Sequence, residues 1–185
     1  MSDKGVDANY RFIAAYQEVN ARIVQRHQAL TLYVTLSASL IAAAFALHPS
    51  ESGRQLPAEW LAFAFPATAV CLAFLNYKTE RAITNLRSFL SSLEKLGNAH
   101  HQLPSYNTDP RWASGVNKVR RFHDYAAAVL AAGTNAIGIG SLLHLYPERL
   151  NSRPLLLAVL IGLAAGAAAS LLVIPRWSYV PPKAE

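Results

Sequence analysis

Residues 154–175 read PLLLAVLIGLAAGAAASLLVIP, a run without a single Asp, Glu, Lys or Arg. An α-helix rises about 1.5 Å per residue and the hydrocarbon core of a bilayer is about 30 Å thick, so roughly 17–25 apolar residues are enough to cross it. The run is apolar on all sides, whereas a helix in a soluble bundle needs a polar face. The sequence therefore predicts a membrane-spanning helix at this position.

Three more stretches lack charged residues in the same way, namely 27–50, 60–77 and 125–147. Charged residues make up 15% of the chain, against about 25% in an ordinary soluble domain, and they are concentrated between these stretches. We therefore predict an all-α fold: a four-span transmembrane helix bundle whose helices extend into a cytoplasmic helical bundle. The predicted spans lie at about 29–48, 60–77, 125–146 and 154–174.

The distribution of basic residues predicts how the bundle is oriented. Fourteen of the 17 Lys and Arg residues lie before the first span, between the second and third, or after the fourth, and three lie in the other two loops. Basic residues mark the cytoplasmic side, so we predict an inner-membrane protein with both termini in the cytoplasm. The net charge of +6 then reflects topology and attraction to membrane lipids. Direct binding of nucleic acid is the less favoured explanation of this charge.

The predicted cytoplasmic parts are residues 1–28, 78–123 and 176–185. Apolar side chains recur at helical spacing in three stripes, which we expect to pack like a short coiled coil. Gly97 is the expected end of one helix, and Thr108 or Asp109, followed by Pro110, the expected start of the next. Residues 98–110 are expected to form a linker, and the tail after the fourth span is expected to be irregular. The stripes are Phe12, Tyr16, Val19 and Ile23; Ile83, Leu86, Leu90 and Leu93; and Trp112, Val116 and Val119.

Two of the predicted spans carry small residues at every fourth position. Faces of this kind let helix backbones approach closely, which replaces the hydrophobic driving force inside a bilayer. They join either the two helices of one subunit or neighbouring subunits of a homo-oligomer, and spacing alone leaves both open. The residues are Ala128, Ala132, Ala136 and Gly140 in the third span and Gly162, Gly166 and Ser170 in the fourth.

Thr134 and Asn135 form the conspicuous polar pair near the middle of the third span. They could line a pore or a hydrated cavity, or they could form a hydrogen bond between helices worth on the order of 1 kcal/mol. The predicted spans themselves contain no ionisable acid or base of the kind that proton-coupled transporters use, which disfavours a transporter.

Histidines supply the only candidate metal ligands. His100 and His101 lie in the linker, and His123 is followed by Asp124 at the start of the third span. The chain has no CxxC or HExxH spacing, no glycine-rich phosphate loop and no GxSxG motif, so we expect no metal and no cofactor. We expect His123 and Asp124 to form an interfacial cap in which the acid neutralises Arg120 or Arg121 on the same helical turn.

The sequence resembles small helical membrane proteins of bacterial anti-phage defence in two segments. One is the amphipathic helix at 10–27, which runs directly into the first span, and the other is the helix at 78–96, which follows the second span. The resemblance is to SLATT-type effectors and, by number of spans, to the Kiwa membrane subunit. SLATT proteins typically have two spans, so the third and fourth spans depart from that pattern. The resemblance implies an oligomeric membrane effector or sensor that works with a cytosolic partner in antiviral defence.

These observations favour a non-enzymatic, homo-oligomeric membrane protein that forms a pore or perturbs the membrane. Its cytoplasmic helices would dock a protein partner through Ile83, Leu86, Leu90, Leu93 and Trp112. One alternative is an anchor or scaffold for a cytosolic enzyme. A second is an enzyme acting on lipid headgroups through the three histidines and Asp124.

Overall fold

The computed structural model describes residues 7–46 and 58–181, and within these ranges every regular element is a helix. Four of the helices are long and apolar enough to cross a membrane, which confirms the predicted fold class and supports a membrane location. The predicted loop at 48–57, together with Lys4 and Lys183, lies outside the described residues. The helices are α1 (Ala8–Ala46), α2 (Ala58–Glu94), α3 (Ala99–Gln102), α4 (Pro110–Leu145), α5 (Pro147–Asn151) and α6 (Pro154–Val173).

The first three long helices each join a charged segment to an uncharged one without a break. Helix α1 has 39 residues, α2 has 37 and α4 has 36, so each is longer than a bilayer requires. We call the end of the bundle that carries these extensions the charge-rich end and the opposite end the loop end. The sequence predicts the charge-rich end to be cytoplasmic.

Local chemistry accounts for the helix boundaries. The side chain of Asp109 accepts a hydrogen bond from the backbone N–H of Arg111 at 2.9 Å, and Pro110 occupies the first turn of α4. Hydrogen bonds from the side chain and backbone of Arg111 lower the pKa of Asp109 below its usual value. After α2, Gly97 has a φ of 61° and Asn98 follows at 59°, so the chain leaves the helix through two left-handed residues.

Helix α2 contacts α1, α4 and α6 and forms the centre of the bundle. A core in the middle of the bundle is built largely from alanines around Tyr33 and Leu72. A second core at the loop end surrounds Phe65, and a third at the charge-rich end joins Ala15 and Val19 of α1 to α2. Small core residues allow the helix axes to lie close together.

The predicted stripes pack only in part. Ile83 and Leu90 are buried against Val19, as expected for the first two stripes. Tyr16 and Ile23 are exposed, because the buried face of α1 is centred on Ala15, Val19 and Arg26 instead. Two of the three residues of the third stripe do not pack within the chain, since Trp112 is 54% exposed and Val119 is 71% exposed, while Val116 is half-buried. The coiled-coil prediction was therefore wrong for the third stripe.

Candidate functional site: buried polar clusters at the charge-rich end

Four charged side chains from three helices meet where the uncharged stretches begin. Arg26 of α1 donates from Nη1 to Oε2 of Glu80 on α2 at 3.1 Å, and from Nη2 to Oδ1 of Asp124 on α4. Arg120 of α4 donates to the same Glu80 oxygen. We call these four residues the charge network. It connects α1, α2 and α4 at one level of the bundle.

The charge network is buried as well as paired. The side chains of Glu80 and Asp124 are 1% exposed, that of Arg26 is 5% exposed and that of Arg120 is 14% exposed. Two cations and two anions sum to zero charge. Burial of an ion is costly, and neighbouring opposite charges offset that cost only while every partner is in place. The network therefore fixes which faces of the three helices can meet.

Asp124 does not neutralise an arginine of its own helix as we predicted. It pairs with Arg26 across the bundle, while Arg120 pairs with Glu80 of α2. Arg121 is exposed. The prediction was wrong because it considered only neighbours on one helix, whereas Asp124 and Glu80 both face Arg26 in the interior.

A second buried cluster surrounds Arg87, further along α2. Arg87 donates to the side-chain oxygens of Asn107 and Asn117, at 3.0 and 2.8 Å, and its guanidinium lies 4.7 Å from the centre of the Tyr179 ring. The Asn117 amide donates to the backbone oxygen of Tyr179 at 2.6 Å, and the Tyr179 hydroxyl donates to the backbone oxygen of Asn107. Neutral oxygens bind Nε and Nη1 of this buried cation and an aromatic face lies beside it, while its Nη2 has no partner among the described residues.

The carboxylate of Glu94 organises the segment that precedes α4. It accepts hydrogen bonds from the backbone N–H groups of Asn107 and Thr108, from the Asn107 amide and from the Thr108 hydroxyl. Together with Arg87, it ties the predicted linker to α2. The tail after α6 is held as well: Ile174–Trp177 form a 3-10 turn and Tyr179 is 4% exposed. Our prediction of an irregular tail was wrong only as far as Trp177, because residues 178–181 have no regular secondary structure.

The structure does not bring the candidate histidines together. The rings of His100 and His101 stack on each other with centres 3.9 Å apart. His123 instead meets His27 of α1 edge to face at 5.1 Å, beside the charge network. Among the described residues, no group of three or more His, Cys, Asp or Glu side chains is placed to hold a metal ion. Cys71, the single cysteine, is exposed on α2.

Thr134 and Asn135 lie on different sides of α4. The hydroxyls of Thr134 and Tyr33 are hydrogen-bonded to each other, which joins α4 to α1, and Thr134 also donates to Leu130. Asn135 is buried and donates to the backbone oxygen of Ala131, but its Oδ1 has no partner among the described residues. Thr134 thus forms a bond between helices, while Asn135 keeps an unsatisfied acceptor in the interior.

Most of the small-residue positions are exposed. Ala128 is buried in the middle core, whereas the other six positions lie on the surface. A Cβ added to Gly140, Gly162 or Gly166 would have no atom within 4 Å. Two apolar grooves run along these faces. One, of about 530 Å³, includes Gly162, Gly166 and Ser170; the other, of about 380 Å³, includes Ala132, Ala136 and Gly140.

The glycine that makes a close helix contact is Gly138, which lies outside the predicted small-residue stripe. A Cβ on Gly138 would overlap the ring of Phe65 in α2, with Cζ only 2.6 Å away. Phe65 is 1% exposed, so its ring fills the space beside α4 at the loop end. Gly138 lies among other small residues in the sequence, and only the contact with Phe65 distinguishes it.

The predicted docking residues divide into two groups. Ile83 and Leu90 are buried, and Leu86 is half-buried in the same core. Leu93 is also half-buried. Trp112 remains exposed, and Phe122, further along α4, is exposed too. Of the predicted docking residues, Trp112 alone is therefore exposed.

No protein-family model, no curated protein and no solved structure matches this chain.

Proposed function

We propose that this chain is an oligomeric integral membrane protein that forms a pore or perturbs the membrane, with its charge-rich end in the cytoplasm. The observation that carries the proposal is the open small-residue surface on α4 and α6. In lipid, exposed glycine and alanine faces are the surfaces through which helices associate. Because these faces, apart from Ala128, are exposed and their glycines have open space beside them, contact between subunits is favoured over contact within one.

The charge network gives the proposed assembly a fixed unit. Arg26, Glu80 and Asp124 hold α1, α2 and α4 together at the charge-rich end. Helix α6 packs on this unit through one face, which includes Leu160, Ala164, Ala167 and Leu171. Its glycines lie on another face and remain open to a neighbouring subunit. The resemblance to anti-phage effectors suggests that such an oligomer acts in bacterial defence.

Native mass spectrometry in a mild detergent tests the assembly. We expect the purified chain to appear as a defined oligomer of 20.1 kDa subunits. Gly162→Leu combined with Gly166→Leu should shift it to monomers, because two bulky side chains would keep the helix backbones apart. Leu172→Phe is the matched control, as it adds bulk to another exposed position of α6 and should leave the oligomer intact. A strictly monomeric wild-type protein would contradict the proposal.

Two further measurements separate pore formation and defence from assembly alone. Purified oligomer in liposomes should release a trapped small ion faster than the double glycine variant does. Expression in a bacterial host should lower the plating efficiency of phage if the defence role is correct. An oligomer that releases no ions would retain the assembly and exclude the pore.

A second candidate function is a membrane anchor for a cytosolic protein, and a specific observation favours it. Trp112, Val119 and Phe122 present exposed apolar side chains on α4 at the charge-rich end. Their spacing of seven and three residues places them on one side of the helix. Apolar stripes on an extended helix are typical of partner-binding surfaces.

Replacing Trp112 and Phe122 with serine should abolish capture of a cytosolic partner from lysate of the native host. Tyr10→Ser is the control, since this exposed aromatic residue lies on α1, away from the surface of α4. Partners should be identified by crosslinking in cells followed by mass spectrometry. An identical partner list for both variants would count against the anchor function.

A further inference from the structure

Among the described residues, several buried side chains keep polar atoms without a hydrogen-bond partner, and the four least exposed of them lie on α1, α2 and α4. The atoms are Oε1 of Glu80, both amide atoms of Asn76, Oγ of Ser37 and Oδ1 of Asn135. Each of these residues is at most 2% exposed. Buried polar side-chain atoms in proteins are nearly always hydrogen-bonded, either to protein groups or to water. The clustering of these groups on α1, α2 and α4 therefore requires an explanation.

These groups lie at increasing distances from the charge network along the bundle axis. Here "above" means closer to the loop end. The ion pairs place Arg26, Glu80 and Asp124 at a common level. Asn76 lies one helical turn, about 6 Å, above Glu80. Ser37 lies about 16 Å above Arg26, and Asn135 about 16 Å above Asp124.

Tyr33 lies between the lower and upper members of this series. It is buried on the same face of α1, about 10 Å above Arg26, and its hydroxyl bonds to Thr134. At the level between Asn76 and Ser37, the interior consists of Tyr33 and the alanine-rich middle core around it. Helix α6 contributes no polar residue to the buried face, where it places Leu160, Ala164, Ala167 and Leu171.

The buried polar groups stop before a cluster of apolar side chains at the loop end. The ring of Phe65 lies against Gly138, about 21 Å above the level of the charge network. Ala44, Ala62, Ile139 and Leu142 surround this ring. The buried polar groups therefore begin at the charge-rich end, are separated by the alanine-rich middle core, and stop before the apolar cluster at the loop end.

We propose that Asn76, Ser37 and Asn135 line a water-filled path that runs inside one subunit from the charge network to the middle of the membrane. The path holds a short chain of water molecules. These waters supply the hydrogen bonds that the three side chains lack, and protons can move from one water to the next. Each of these side chains offers one or two of the polar partners that a buried water molecule needs. The proposal does not depend on oligomerisation, because all of its residues belong to one chain.

Cysteine accessibility tests the path directly. Asn76→Cys and Ser37→Cys are made separately in a Cys71→Ser background and placed in lipid nanodiscs. The probe is the silver ion, which is small enough to follow water and reacts with thiols. Thiols that remain unreacted are then counted with a fluorescent maleimide after denaturation. We expect both cysteines to react at least tenfold faster than a control in the dry part of the core.

Ala167→Cys is that control. Ala167 is 4% exposed and lies on α6, where it packs in the middle core. The Thr84 hydroxyl bonds to the backbone oxygen of Trp177, which sets the level of α6 against α2. Ala167 thus lies about 9 Å from the level of the charge network, between the depths of Asn76 and Ser37. A ratio below tenfold at both test positions would overturn the proposal.

A measurement on the unsubstituted protein tests the path even if the cysteine variants misfold. Solid-state NMR of chain labelled with ¹⁵N at Asn and Ala, in lipid bilayers, records how quickly magnetisation passes from water to each amide. The side-chain amides of Asn76 and Asn135 should respond nearly as fast as that of Asn85, which is exposed. Transfer as slow as at the backbone amide of Ala167 would refute the path without any substitution.

Discussion

Replacing Arg26 with methionine is expected to lower the free energy of unfolding by about 3–5 kcal/mol, the usual cost of breaking a buried ion pair from one side. Arg26 is the one cation that pairs with both Glu80 and Asp124 among the described residues. Without it, Asp124 loses its ion-pair partner and Glu80 keeps only Arg120. Unfolding in mixed micelles with increasing amounts of SDS, followed by circular dichroism, measures the change.

Arg22→Met is the matched control on the same helix. Arg22 pairs with Glu18 one turn away, and its side chain is 32% exposed, so its loss should cost less than about 1 kcal/mol. A further variant replaces all four residues of the charge network with apolar ones and should recover much of the lost stability, because no ion is then left buried. Equal losses for Arg22→Met and Arg26→Met would show that the network does not hold the helices together.

The four candidate spans could be predicted from the sequence because they depend on one strong effect, namely the free-energy cost of placing charged or unpaired polar groups in lipid. A stretch such as residues 154–175 has no charge to place in water, and only a helix satisfies its backbone inside lipid. Helix boundaries at Asp109 and Gly97 were predictable for a similar reason, as capping chemistry is local. Neither conclusion requires knowledge of which helix faces which.

The charge network was missed because it depends on contacts between helices, although the sequence contains a signal for it. Along α2, Glu80, Arg87 and Glu94 recur every seven residues. Val19, Arg26 and Tyr33 do so along α1. A seven-residue repeat marks the seam between packed helices, and polar residues within such a seam specify the register of the helices at a cost in stability. A prediction based on apolar stripes alone assigns these charges to solvent.

The spacing of the small residues on α4 could not predict whether their face points into the core or toward the surface. A helix has about 3.6 residues per turn, so a step of four residues overshoots a full turn. Three such steps from Ala128 to Gly140 therefore turn the face by about 120°. The stripe begins inside the core at Ala128 and ends on the open surface at Gly140. One stripe thus supplies a contact within the chain at its start and an open surface at its end.

Gly138→Ala should destabilise the bundle by about 1–3 kcal/mol, the usual cost of overpacking a core. The added methyl group would overlap the Phe65 ring, well inside van der Waals contact. The ring has little room to move aside, because it is 1% exposed and surrounded by Ala62, Ile139 and Leu142. The same SDS unfolding assay measures the loss, and Phe65→Leu in the Gly138→Ala background should restore part of it by returning space.

Gly133→Ala in the same helix separates this steric effect from helix propensity. A Cβ at Gly133 meets no atom within 4 Å, so alanine there should be neutral or stabilise the helix by up to about 1 kcal/mol. Opposite signs for the two substitutions would establish that α2 and α4 touch at Gly138. Stabilisation by Gly138→Ala would instead place Phe65 away from α4, and the cluster of apolar side chains at the loop end would then lie elsewhere.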